Sequence, residues 1–121
     1  MEGFMETKHD IINRLASNLR YLRINTKVEV PMSGKIKYMS QKDLAEMMGI
    51  GCEQQVSKFE LATNQMSASQ VYKVAKIFDV SVDSLFGDLT KSDYKKTIKY
   101  DIYAWSIVYN NIVYTTSSVN L

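Results

Sequence analysis

The chain of 121 residues is long enough for one domain with an appendage, and its 45% hydrophobic content is that of a protein with a single buried core. A formal net charge of +2 announces neither a nucleic-acid nor a membrane partner by bulk charge alone. One cysteine, Cys52, and one histidine, His9, exclude an internal disulfide and leave no metal-ligand set, so neither metal nor cofactor is expected.

The start, MEGFMETKHD, lacks the basic and apolar pattern of a leader, and no stretch reaches the roughly 20 apolar residues of a membrane span. A cytoplasmic location is the expectation. Helical spacing of Ile12, Ala16, Leu19 and Leu22 predicts a first helix from Asp10 to Arg23, with Asp10 as its cap. In KVEVPMSGKIKY, Val28 and Val30 alternate with Lys27 and Glu29, and Ile36 and Tyr38 with Lys35 and Lys37, around a turn signal that holds the one proline. This predicts a β-hairpin. From Arg14 to Lys42 seven basic residues stand against Glu29 alone, which suits a phosphate-facing surface, although runs of charge are usually solvated faces.

A second helix is predicted from the cap Ser40, with Leu44, Ala45 and Met48 inward and Gly49 as its left-handed stop. The stretch GIGCEQQVSKFE then holds only two large apolar side chains in its helical part, Val56 and Phe59, among polar ones. LATNQM reads as a polar connection. Ser67 caps a fourth helix with the stripe Val71, Val74, Ala75 and Phe78, and Ser81 caps a fifth that ends at Gly87. Beyond Asp88 lie Trp105 and many tyrosines; Tyr94, Ile98, Ile102, Trp105 and Tyr109 keep helical spacing, while the near-repeat IVY-NN-IVY has the form of a tight hairpin. A helix leading into extended structure is expected there.

Ser40-Gln41, LAEMMGI, VSKFE and the run MSASQVYKVAKIFDVSVDSLFG together make the sequence resemble the Cro/CI-type, XRE-like, lambda-repressor-like helix-turn-helix family over residues 10–87. The resemblance implies a mainly α fold: a five-helix DNA-binding domain (10–87) with a β-hairpin insertion (25–39) between helices 1 and 2, followed by a C-terminal aromatic extension (88–121). The sequence departs from the family pattern in that insertion and in a longer turn between helices 2 and 3, where Gly51 is the extra residue.

If Val56 and Phe59 pin the third helix, Glu53, Gln54, Ser57 and Lys58 lie off the buried face and Gln55 near its edge. Glutamine can pair bidentately with adenine and lysine can donate to guanine or phosphate, so these side chains are the candidate base readers, against the plain alternative of a solvated helix. Glu53 is the awkward member: it repels phosphate but can accept from cytosine N4. The resemblance adds Gln41, a brace for the recognition helix, and Thr63, Asn64 and Gln65, a loop that meets the sugar-phosphate backbone. It also implies that Arg20 pairs with Glu60. Lys27, Lys35, Lys37 and Lys42 are further phosphate candidates, the three hairpin lysines Lys27, Lys35 and Lys37 being alternatively guards of an edge strand. Tyr100, Tyr103, Trp105 and Tyr109 are candidates for a dimer surface.

The function expected is a sequence-specific regulator that binds double-stranded DNA as a homodimer and represses transcription. The alternatives are an antitoxin, whose tail binds a toxin, and a protein-interaction module that has lost DNA binding. An enzyme is not expected, because no nucleophile–base pair and no Gly-rich phosphate loop are present.

Overall fold

The computed structural model describes residues 6–30 and 33–99. In chain order these form α1 (Lys8–Ile24), β1 (Thr26–Glu29), β2 (Ile36–Tyr38), α2 (Gln41–Met48), α3 (Glu53–Glu60), α4 (Ala68–Phe78), α5 (Val82–Leu85), a 3-10 turn (Leu89–Lys91) and β3 (Lys96–Lys99). The described chain is thus mainly helical, with five α-helices and one small sheet.

Local chemistry sets the helix starts. Ser40 and Ser67 each accept from the amide three residues on, and the side chains of Asp43 and Gln70 return to the cap amides; Ser81 caps α5 through the Ser84 amide. Each such pair satisfies donors that a helix start leaves without partners. The first helix starts earlier than Asp10. Thr7 is its cap, accepting from the Asp10 amide at 3.1 Å, while Asp10 bonds back to the Thr7 amide at 3.2 Å. A threonine with a carboxylate three residues later closes the box, which places Asp10 inside the first turn and holds its carboxyl below the usual range.

The core gathers Leu15, Leu19 and Leu22 from α1, Leu44, Ala45, Met47 and Met48 from α2, Val56 and Phe59 from α3, and Val71, Val74, Ala75, Ile77 and Phe78 from α4. Burying such a side chain contributes about 1.5–3 kcal/mol, which is what holds short helices that would not persist alone. Met66 joins this core, so LATNQM is not wholly the polar connection its composition predicts. Asn18 is buried too, its amide donating to the Leu85 and Gly87 carbonyls at 2.7 and 2.9 Å and so tying the end of α5 to α1.

The sheet order is β2-β1-β3. β1 runs antiparallel to β2, as the hairpin pattern predicts, with Lys27 opposite Tyr38 and Glu29 opposite Ile36. Opposed residues share a face. Val28 therefore shares a face with Lys37, the valine buried and the lysine exposed beside Asp43, whereas Ile36 and Tyr38 lie on the other face and remain 57% and 63% exposed. Of the two hairpin strands only β1 thus has residues buried against the core. Alternation gives a strand two faces but does not say which one meets the core; the register does.

The described start of the extension also differs from expectation. Instead of a helix through Tyr94 and Ile98, β3 lies parallel to β1, with Ile98 opposite Val28 and packed on the core. Tyr94 sets its ring edge-on to Phe78, centroids 6.5 Å apart, and donates to the Phe78 carbonyl at 3.0 Å; burial pushes its phenol upward. The open edge of β1 and the Phe78 carbonyl draw these residues into extended structure. The rest of the extension, with the candidates Tyr100, Tyr103, Trp105 and Tyr109, lies outside the described residues.

Candidate nucleic-acid interface

α2 and α3 are joined by a turn that the backbone fixes at Gly49. It has φ of 74°, a conformation a side chain disfavours, and the Ile50 amide closes back on the Ala45 carbonyl at 3.0 Å. Lys73 from α4 donates to the Met48 carbonyl at 3.2 Å, meeting the negative end of α2 with a cation. The turn ends at Cys52, the residue before α3, which is exposed and makes no side-chain cap. Its thiol instead donates to the Gln54 side-chain oxygen at 2.6 Å. Gly51 has no positive φ and open space around it, so the turn rests on Gly49 and not on Gly51.

α3 buries Val56, Phe59 and Glu60. Glu53, Gln54 and Lys58 are exposed, and Gln55 and Ser57 half-buried. Thr63, Asn64 and Gln65 are exposed after the helix. Thr63 donates its amide and hydroxyl to the Lys58 carbonyl at 2.9 and 3.2 Å, and the Asn64 amide reaches the same oxygen at 3.3 Å. Ala62, between helix and loop, has φ of 62°. An alanine held there stores backbone strain that glycine would not. Ala62→Gly is expected to raise the unfolding free energy by about 1 kcal/mol in urea denaturation; an unchanged midpoint would show that this turn is not strained.

The expected pair between Arg20 and Glu60 is not formed. Arg23 takes that place: its Nε lies 2.6 Å from Glu60 Oε2 and its Nη2 3.1 Å from Oε1, while Nη1 donates to the Met39 carbonyl at 3.1 Å. Arg23 falls four residues after Leu19, on the buried stripe of α1; Arg20 falls one residue after it, off that stripe, and is exposed. That offset was the available signal. The Gln41 amide also donates to Glu60 Oε1 at 3.1 Å, so one carboxylate, its side chain 3% exposed, joins α1, α2 and α3.

Lys27, Lys35, Lys37 and Lys42 are all exposed. Lys37 lies 2.9 Å from Asp43 Oδ2. Burial would raise the Asp43 carboxyl, but the Ser40 amide, the Lys37 ammonium and the Ser40 hydroxyl outweigh it and hold the group below the usual carboxylate range. No group of three or more His, Cys, Asp or Glu able to hold a metal occurs among the described residues, and no helix among them is long and apolar enough to cross a membrane.

No protein-family model matches this chain, and no solved structure matches it. An uncharacterized transcriptional regulator in the ATPase CF(0) region of Rhodospirillum rubrum is 38% identical over 55 residues, a match covering 46% of this chain. The match takes in 50% of that relative, so the chain spans about half the length of the curated protein it is similar to. The similarity is to a regulator of transcription.

Proposed function

We propose that this chain is a transcription regulator of the Cro/CI helix-turn-helix type, which reads duplex DNA through α3 as a homodimer and acts as a repressor. The observation that carries this is the division of α3. Val56 and Phe59 are sunk in the core, Glu60 is tied to α1 and α2, and the opposite side of the helix so held presents Gln54 and Lys58, with Glu53 exposed at its first turn. Fixed donors and acceptors on an exposed helix are what base-edge recognition in a major groove needs. Similarity over 55 residues to a transcriptional regulator supports the regulator part of this reading.

At the start of α2, Lys42 is exposed and suits a phosphate, while Gln41 is held against Glu60. One such module spans few base pairs, so two copies related by a two-fold axis gain affinity and selectivity together. Selection from a random duplex pool with the full chain is expected to enrich an inverted repeat with half-site centres about 34 Å apart. A pool without enrichment would contradict the proposal.

A further inference from the structure

We infer that the β1–β2 hairpin is a second duplex contact, gripping the sugar-phosphate backbone beside the bases that α3 reads. This rests on the proposed DNA-binding function and extends it to a surface that the five helices do not supply. β2 is unusual: all three of its residues are exposed, and Ile36 and Tyr38, both large, remain 57% and 63% exposed among the described residues. Such residues on an outer face suit a contact surface.

The position of the strand follows from its tethers. Lys37 reaches Asp43 in the first turn of α2, and Arg23 holds the Met39 carbonyl, so β2 is fixed beside the helix end that carries Gln41 and Lys42. β3, across β1, is anchored at the far end of α4 through Lys96 to Asp79 at 3.4 Å and Tyr94 to Phe78. The sheet therefore runs from the start of α2 outward to the end of α4, and β2 is its strand nearest the proposed DNA surface.

The chemistry fits phosphate and sugar. Lys27 sits 5.3 Å from the centre of the Tyr38 ring, on the same outer face. Lys35 and Lys42 are exposed and form no ion pair with a carboxylate among the described residues. Of the nearby carboxylates, Asp43 is already engaged by Lys37 and Ser40, and Glu29 is half-buried opposite Ile36. Lysines of this kind serve as point charges for phosphates, the Tyr38 hydroxyl can donate to a phosphate oxygen, and Ile36 offers an apolar contact to deoxyribose.

The test uses the full chain and the enriched duplex in two lengths, trimmed to the inverted repeat and extended by flanking base pairs, titrated by anisotropy over a salt series. On the extended duplex the slope of log affinity against log salt is expected to be shallower for Lys27→Gln/Lys35→Gln than for the unaltered chain, by about 1 for each lysine removed from each protomer. Base preference should be unchanged, and on the trimmed duplex the two proteins should agree more closely. Lys95→Gln, an exposed lysine before β3, should keep the full slope.

An unchanged slope in the double variant, with base preference retained, would overturn the hairpin contact and leave the lysines as guards of an edge strand. An equal loss in Lys95→Gln would overturn it in favour of general charge. Absence of base preference in the unaltered chain would overturn the parent proposal. Ile36→Ser/Tyr38→Ser should leave the sedimenting mass of the free protein unchanged; a change would assign this face to a second copy instead.

Discussion

Replacing Glu60 with alanine is expected to lower the unfolding free energy by about 3–5 kcal/mol, because it strands the guanidinium of Arg23 in a site built around a carboxylate. The magnitude follows from burial and from how many bonds end on one group. Glu60 accepts two bonds from Arg23 and one from Gln41, and the Arg23 side chain is itself only 13% exposed. An exposed ion pair would be worth no more than about 1 kcal/mol, so depth of burial decides the outcome. Arg20→Ala serves as the contrast. Arg20 is exposed and lines only an open cleft with Ser17, Tyr21, Ile24, Glu60 and Thr90, so its loss should cost less than about 0.5 kcal/mol. Urea denaturation of both variants distinguishes the arginines: equal losses, or no loss for Glu60→Ala, would remove the claim that this carboxylate locks α3.

Gln54→Ala is expected to weaken binding to the enriched duplex by about 1–3 kcal/mol, roughly 5- to 150-fold in Kd, while leaving the unfolding midpoint in place. Gln54 is exposed on the first turn of α3, and its described polar contact is the Cys52 thiol, so truncation removes nothing from the core. Because Gln54 carries no charge, the loss should be nearly the same at low and high salt, unlike that of a phosphate-contacting lysine. Anisotropy titration at two salt concentrations checks both statements. A loss confined to low salt would mean that Gln54 touches only the backbone environment.

Much of the helical frame was legible because its signals are local. Ser40, Ser67 and Ser81 act as caps wherever the following amides are free, and Gly49 marks a left-handed stop whatever packs around it. The spacing of Val56 and Phe59 likewise shows which side of α3 is buried before any partner helix is known. Less legible was anything set by pairing between distant segments. Ile36 and Tyr38 alternate as a buried face would, yet the register with Lys27 and Glu29 turns them outward. Lys96–Lys99 becomes strand because β1 has an open edge, a fact absent from its own residues.

The arginine assignment failed for a different reason. Arg20 and Arg23 are neighbours three apart on one helix, and the choice depends on the angular position of the buried stripe within α1. Asn18 and Ala62 gave no warning: a buried asparagine reads as polar surface, and alanine is not a residue that announces a positive φ.

Whether the exposed side chains of α3 read bases is decided by repeating the selection from the random duplex pool with Glu53→Ala/Gln54→Ala/Lys58→Ala beside the unaltered chain. The unaltered chain is expected to enrich an inverted repeat, whereas the triple variant should fold, still bind duplex in a salt-dependent way and enrich no sequence. Recovery of the same inverted repeat by the triple variant would contradict this expectation and move base recognition away from α3.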